Sequence, residues 1–466
     1  MLITILVTLI VSLSIAQPEI LDHLADPSLL TAVLVVIYIA GGALLTAAST
    51  RSVVRALGRG ELPSRKMFRA HWLLETGYRC WLIAGQGALL ACGYGRWVQN
   101  SLGGSKIPLL EKLLVLTPFL VTVILGWVLD YRFHLAIRTA RSDSQTPERA
   151  YWSRSEHVLY NIRHLLLFTI VPIAIILLVI DVLDMHLLPL APAHARNTIY
   201  LTASLGTALT VFMIAPLILV RIWRTRRLEP GVLRSDLEDL CGQLKFKYRD
   251  ILVWESDGVI ANAAVMGLIP QVRFILVSDG IIDGLDHQHI RAVFAHEGGH
   301  VTSHHLGYLM LMGVAVMTLC ESATIAAVEL TDMSGPLSML MMLTLVITFG
   351  GLVFGLVSRQ FERQSDVIGA WASVPNPDNS PRITHEGAAL FAGALQQIAQ
   401  LNGINSNARN WRHGSIAHRI QYILMLGSTG GTRTEIDKKV KRVKIAIVLG
   451  AAAAVGSVVL QFVPLW

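Results

Sequence analysis

Long apolar runs separated by short polar segments dominate the chain. Most of the runs are long enough for a helix to cross about 30 Å of hydrocarbon. The run at 80–95 is the weakest, because it is short and contains Gln86. The pattern predicts a mainly α-helical membrane protein with about eight or nine transmembrane helices. The runs fall near residues 1–16, 28–50, 80–95, 113–131, 165–183, 198–220, 306–330, 337–357 and 445–465.

The first run permits two interpretations. Residues 1–16 are apolar, and Ser14-Ile-Ala16 before Gln17-Pro18 resembles a signal-peptidase site. A cleaved signal peptide normally begins with a basic region, and residues 1–16 contain no Lys or Arg. We favour a retained first span, with a cleaved signal as the alternative.

Basic and non-basic loops alternate along the chain. Because basic loops remain in the cytoplasm, this alternation supports the intervening spans and places residues 223–305 on the cytoplasmic side. The pattern fits a multi-pass protein of a bacterial inner membrane. The Arg-rich segments are 51–79, 132–164 and the stretch after residue 220, whereas 96–112 and 184–197 are poor in positive charge.

The composition is typical of a membrane protein, so the lipid bilayer is a predicted partner. Of the 466 residues, 53% are hydrophobic and 15% are charged, whereas soluble proteins carry about 25% charged residues. The net charge of +7 comes from the flanks of apolar runs, which argues against nucleic acid as a partner. The four cysteines show no CxxC spacing, so neither a disulfide framework nor a thiolate zinc site is indicated.

The candidate chemistry lies in Phe294-Ala-His-Glu-Gly-Gly-His300, an HExxH pattern. A helix is predicted from about residue 286 to 305. On this helix, His296 and His300 lie one turn apart on the same face, so both imidazoles reach one cation. Glu297 is beside them, where it can take a proton from a metal-bound water. The pattern predicts zinc-dependent hydrolysis; the alternative is a helix turn with solvated His and Glu side chains.

Two glycines inside the motif argue against that alternative. Gly298 and Gly299 each weaken a helix interior by roughly 1 kcal/mol relative to Ala. Close approach of another backbone or of a substrate would explain both residues.

Zinc needs a third protein ligand. His304 continues the predicted helix face, but three ligands on one rigid helix surround a metal poorly. We prefer Glu362, because Asp366 follows one helical turn later and could orient a ligating His. The candidates downstream of the motif are His304, His305, Glu321, Glu329 and Glu362.

The predicted topology agrees with this choice. The runs 306–330 and 337–357 are joined by the short segment 331–336, so they form a membrane hairpin. A hairpin returns the chain to the side on which it started, which brings Glu362 back to His296 and His300.

Segments 278–305 and 358–366 resemble the M48 family of integral-membrane zinc metalloproteases, of the Ste24/HtpX type. That family has HExxH on one helix, a membrane hairpin, and a Glu ligand in an SRxxExxAD-like segment. Here the second segment reads SRQFERQSD. Ser365 stands where Ala is usual, and Gly298 where a bulkier apolar residue is usual.

Two further matches extend the resemblance over about residues 230–430. Asn262-Ala-Ala-Val-Met-Gly267 is similar to the family's NAF-type edge strand. His413-Gly-Ser-Ile-Ala-His-Arg419 is similar to its HPxxxxR segment, with Gly414 in place of Pro.

The resemblance implies a zinc metalloendopeptidase that acts on protein or peptide substrates. One Zn²⁺ per chain would be held by His296, His300 and Glu362, with Glu297 as the general base. Asp366 would hold a ligating His.

Further roles also follow from the resemblance. His413 and Arg419 would approach the oxyanion that forms during hydrolysis. An extended substrate would pair with Asn262 and Ala263 at a sheet edge.

Five segments are predicted from these observations, with an α+β zincin-like catalytic domain interrupted by the hairpin. Residues 1–222 form N-terminal membrane helices, 223–305 the first part of the catalytic domain, 306–357 the hairpin, 358–430 its second part, and 431–466 a basic flank and last span.

Two other classes of protein are alternatives. A catalytically silent metal-binding scaffold would not need Glu297 as a base. A transporter with a regulatory cytoplasmic domain would be expected to show paired broken helices in matching halves, and the sequence shows none.

Overall fold

A computed structural model describes the chain apart from nine short stretches. Its contacts divide the chain into two compact units, Met1–Trp223 and Arg224–Trp466. Most described residues are helical and one small sheet is present, which confirms the predicted fold class. The described residues are 1–15, 29–60, 64–102, 107–141, 152–192, 195–258, 260–374, 380–408 and 410–462.

The first unit is helical throughout its described residues. Its core includes the fully buried Leu82 and Phe119, where helix α2 packs against α3 and α5. Gln86, which weakens the run at 80–95, is fully buried and donates a hydrogen bond to Val115 O at 2.9 Å. The helices are α1 (Leu2–Ile15), α2 (Leu29–Gly58), α3 (Arg65–Ala91), α4 (Tyr94–Leu102), α5 (Leu110–Arg141), α6 (Arg154–Asn161), α7 (Phe168–Val182) and α8 (Arg196–Ile222).

Seven helices of the described residues are long and apolar enough to cross a membrane. The predicted runs at 1–16 and 80–95 are not among them. Helix α1 lies within the first of these runs and has 14 residues. The run at 80–95 includes the apolar end of α3, and the charged residues of that helix precede it. The seven are Leu30–Gly58, Leu110–Ile137, Arg154–Leu190, Thr202–Ile222, His305–Thr331, Leu340–Ala372 and Arg433–Leu460.

The second unit combines a four-stranded sheet with helices. Strands β2 and β4 are parallel and lie in the middle, which suits their buried, β-branched sequences DILVW and FILVS. Strands β1 and β3 pair antiparallel with them at the two edges, in the order β1-β2-β4-β3. The strands are β1 (Thr225–Arg227), β2 (Asp250–Trp254), β3 (Ala263–Met266) and β4 (Phe274–Ser278).

Two helices of the second unit contact this sheet. Others form the hairpin and the last span. Helix α11 carries the HExxH motif. The helices are α9 (Val232–Gln243), α10 (Asp279–Gly284), α11 (His287–Thr302), α12 (His305–Thr331), α13 (Gly335–Leu345), α14 (Gly351–Ala372), α15 (His385–Leu401), α16 (Ile416–Thr429) and α17 (Arg433–Phe462).

Helix α11 ends earlier than the sequence predicts. Asp286 caps its start by accepting a hydrogen bond from His289 N at 2.9 Å, but the helix stops at Thr302. His304 has a left-handed backbone with φ of 54°, and a new helix begins at His305. A single helix to residue 305 with His304 on the metal face is therefore wrong, because the left-handed residue turns the chain.

The hairpin returns the chain to α11. Helix α13 runs through a π-helical turn, Val346–Gly350, into α14. The continuous helix Leu340–Ala372 has 33 residues, or about 50 Å at 1.5 Å per residue. This length exceeds the thickness of the membrane hydrocarbon, about 30 Å. The polar C-terminal part of the helix packs against α11.

The two motif glycines are explained by packing within the chain. A Cβ at Gly299 would lie 3.1 Å from Ser365 Cα on α14, so this glycine permits the close helix crossing. A Cβ at Gly298 would lie 2.6 Å from Leu244 Cδ1. Leu244 thus occupies the space that a bulkier residue at 298 would fill.

The second unit should be sensitive to added volume at Gly387 in α15. A Cβ there would lie 2.3 Å from Ala370 O, and overpacking of this kind costs typically about 1–3 kcal/mol. We expect Gly387→Ala to lower the thermal unfolding temperature of the purified protein in detergent.

Gly242→Ala in α9 is the matched control, because nothing lies within 4 Å of the added Cβ. It should leave the unfolding temperature unchanged or raise it. Equal unfolding temperatures for the two variants would contradict the described packing of α15 against α14.

Candidate metal centre

Three side chains converge where α11 crosses α14. His296 Nε2 and His300 Nε2 lie 3.3 Å apart, and each lies 3.7 Å from an oxygen of Glu362. Among the described residues, this is the one group of His, Cys, Asp and Glu side chains placed to hold a metal ion. The structure thus brings together the three ligands proposed from the sequence.

The spacing and chemistry of these atoms fit zinc. A tetrahedral ion with bonds of about 2.0–2.1 Å separates neighbouring ligand atoms by about 3.3 Å, close to the observed distances. Two imidazole nitrogens and one carboxylate form the donor set of many catalytic zinc sites, in which a fourth position stays open.

Asp366 holds the outer nitrogen of His296. Its Oδ1 lies 3.0 Å from His296 Nδ1 in a bent contact. Because a carboxylate only accepts, Nδ1 carries the proton and Nε2 presents its lone pair to the site. Burial opposes a charge on His296, but the Asp366 carboxylate outweighs it and raises the pKa of the imidazole.

Arg419 neutralises the buried Asp366. The Asp366 side chain has no exposed surface, and Arg419 donates from Nε to Oδ2 at 2.8 Å and from Nη2 to Oδ1 at 2.5 Å. Arg419 Nη2 also lies 3.6 Å from Glu362 Oε2. Burial disfavours the charged guanidinium, but Asp366 and Glu362 raise its pKa, so this cation is retained.

His300 has a different partner from His296. Its Nδ1 lies 3.0 Å from Nδ1 of His305, the buried first residue of α12. Burial, with the neighbouring His296, lowers the pKa of His300 to about 3, so the ring is neutral as a metal ligand requires. The sequence identifies His305 only as a ligand candidate and does not predict this contact.

Glu297 is partly buried beside the two imidazoles. Desolvation raises the pKa of its carboxyl to about 7; the Glu362 carboxylate adds to this, and His296, Arg419 and His413 oppose it. A cation held by the neighbouring ligands would oppose this rise and favour the carboxylate. Glu297 would then be available as a base beside the ligands.

His413 lies on a loop against Glu362. Its Nδ1 is 2.8 Å from Glu362 Oε1, and 39% of its side chain is exposed. The loop is closed by two backbone hydrogen bonds between Asn410 and Gly414. Gly414 has a φ of 75°, which proline cannot adopt. The backbone conformation therefore explains why Gly stands here in place of the Pro of the family pattern.

Asn262 is exposed and comes immediately before the edge strand β3. Among the described strands, β3 pairs with β4 alone, and it contacts α11. Asn402 fixes the preceding residue, since its side chain accepts from Ala261 N at 3.2 Å and donates to Ala261 O at 2.7 Å. Asn262 and Ala263 therefore begin an open edge beside the motif helix.

The rejected ligand candidates lie elsewhere. Glu321 and Glu329 are exposed on α12, and His304 is exposed at the break before it. None of the three belongs to the group around His296.

Removing Arg419 should destabilise the domain strongly. Arg419→Leu would leave the Asp366 carboxylate buried without its cation, a loss of typically about 3–5 kcal/mol. We expect a clear fall in the unfolding temperature of the chelator-treated protein, measured in detergent.

Arg226→Leu is the control, because Arg226 pairs with Glu255 at 3.4 Å on the surface, where both side chains are exposed. Exposed pairs contribute only about 0–1 kcal/mol. Similar small losses in both variants would contradict the role given to Arg419.

Comparison with known proteins agrees with this site. The profile of Peptidase family M48 matches residues 228–380, a segment that contains the three candidate metal ligands and Glu297. None of the curated protein sequences compared with the chain matches it significantly.

A solved structure extends the likeness in fold. The crystal structure of S. mikatae Ste24p superposes with a TM-score of 0.53 at 15% sequence identity. The match covers 86% of this chain and all of that one. With seven candidate spans, the protein is a multi-pass membrane protein with a Ste24p-like fold. The resemblance predicted from the sequence is confirmed: residues 228–380 match the model of Peptidase family M48, which indicates a metallopeptidase.

Proposed function

We propose that the protein is a zinc-dependent endopeptidase of the membrane. It would hydrolyse peptide bonds in membrane-associated or misfolded proteins or peptides. The convergence of His296, His300 and Glu362, with Glu297 beside them, carries the proposal. The match to a peptidase family supports it.

The ligands and the base have separate tasks. A zinc ion held by His296 Nε2, His300 Nε2 and the Glu362 carboxylate supplies Lewis-acid chemistry, which polarises a carbonyl and acidifies water. Glu297 accepts a proton as the water oxygen attacks the peptide carbon. It then delivers a proton to the amine nitrogen as the carbon–nitrogen bond breaks.

A donor near the ligands would stabilise the oxyanion. His413 has an exposed edge beside Glu362, from which it can reach a substrate carbonyl. Arg419 donates to Asp366 and lies beside Glu362, so it would act on the oxyanion through its charge and not as a hydrogen-bond donor. Fixed donors of this kind act most strongly where negative charge develops.

Substrate would bind as an added strand. Both backbone groups of Asn262 pair with Ser278. Beside the exposed Asn262 side chain, Ala263 would therefore offer the first backbone groups of the edge to an extended peptide. The contact of this edge strand with α11 would place the peptide beside Glu297. Backbone pairing would not distinguish one peptide sequence from another. The residues that surround the side chains of the bound peptide would then determine which sequences are cleaved.

The proposed location is a bacterial inner membrane, with the catalytic residues on the cytoplasmic side. The alternation of Arg-rich and Arg-poor loops supports this orientation.

The decisive test is proteolysis by the purified protein in detergent, with an unfolded model protein as substrate. We expect cleavage that a chelator abolishes and zinc restores. Glu297→Gln should abolish cleavage while zinc stays bound, because the amide cannot accept the proton.

Glu321→Gln is the matched control, since Glu321 is exposed on α12, outside the group of ligands. It should cleave like the wild type. Full activity of Glu297→Gln would contradict the mechanism, and zinc binding without cleavage by the wild type would favour a silent metal-binding scaffold.

A further inference from the structure

A chain of polar side chains leads away from His300. His305 Nε2 lies 2.8 Å from Gln364 Oε1, and Gln364 Nε2 lies 2.5 Å from Asp437 Oδ1. With the contact between His300 and His305, the chain joins α11, α12, α14 and α17. His305 and Gln364 are buried, with 1% and 6% of their surface exposed.

The Asp437 carboxylate determines which group donates in each hydrogen bond of this chain. Its other oxygen lies 3.5 Å from Arg433 Nε, and an ionised carboxylate can only accept. The Gln364 amide therefore turns its NH₂ group towards Asp437. Its carbonyl oxygen is then directed at His305.

The same logic fixes both imidazoles. A carbonyl oxygen accepts, so His305 carries its proton on Nε2. Its Nδ1 presents a lone pair, towards which Ser365 Oγ also points at 3.5 Å. His300 must then donate from Nδ1 to His305 Nδ1, which leaves the lone pair of His300 on Nε2, facing Glu362 and His296.

Packing holds His305 in this orientation. Its ring is stacked on Phe361 with centroids 4.1 Å apart and planes 6° from parallel. The stack fixes the plane of the ring, in which Nδ1 faces His300 and Nε2 faces Gln364. The opposite tautomer would put the proton of His300 on Nε2, where it would block a metal.

We propose that His305, Gln364 and Asp437 form a relay of positioning residues that fixes the metal-binding tautomer of His300. The relay rests on the proposed function only in that the site must bind zinc. Its last member lies on α17, beyond the segment that matches the peptidase family, so the final helix takes part in the site.

The test measures the zinc Kd of purified, metal-stripped full-length protein by competition with a chelator of known affinity. Loss of a partner of this kind typically weakens metal binding about 10- to 100-fold. We expect that loss in His305→Phe, which keeps the stack on Phe361, and in Gln364→Met, which removes the acceptor. The unfolding temperature of the zinc-free protein should change little in both.

A double variant distinguishes loss of the hydrogen bonds from a change in packing as the cause of weaker zinc binding. Gln364→Glu combined with Asp437→Asn exchanges the carboxylate and the amide but keeps the direction of every hydrogen bond. The amide introduced on α17 would donate to the carboxylate introduced on α14, and that carboxylate would accept from His305 Nε2. The zinc Kd of the double variant should be close to wild type. Gln360→Met on α14 is the matched control and should also bind normally.

The outcomes are distinct. Wild-type zinc affinity in both His305→Phe and Gln364→Met would overturn the relay, as would equal losses in Gln364→Met and the double variant. Failure of the wild type itself to bind zinc would instead refute the proposed function.

Discussion

The site depends on one close helix crossing. Two imidazoles come from α11 and the carboxylate from α14, and the membrane hairpin separates them in sequence. Their ligand atoms must still meet within about 4 Å to share an ion. Gly299 makes this possible, because it lets the backbone of Ser365 approach the motif helix. The continuous helix through α14 is also long. Its polar end, which carries Glu362, therefore reaches the histidines.

Buried charges at this crossing are tolerated because they are paired. Asp366 has no exposed surface and Glu362 is nearly buried, yet Arg419 contacts both. Without that cation, two carboxylates at the centre of the domain would incur a desolvation penalty of several kcal/mol each. The same interactions orient His296, so the stability of the domain and the geometry of the ligands have a common source.

Much of the site could be predicted from the sequence. The spacing of His296, Glu297 and His300 on a helix requires only local periodicity, and the hairpin logic selects Glu362 over Glu321. The break at His304 could not be predicted, because a left-handed residue inside a polar helical pattern leaves no clear signal. That break gives His305 its buried position, and its connection through Gln364 to Asp437 depends on how three helices pack. Gly414 was read as a departure from the family pattern, whereas its positive φ explains the glycine.

The central claim is that two imidazoles and one distant carboxylate bind a single ion. The most direct measurement is the zinc content of purified Glu362→Ala beside that of Glu321→Ala, with the wild type as reference. The account predicts about one zinc per chain in the wild type and in Glu321→Ala, and a sharp loss in Glu362→Ala. Normal zinc content in Glu362→Ala, with a loss in Glu321→Ala, would contradict it and move the third ligand into the membrane hairpin.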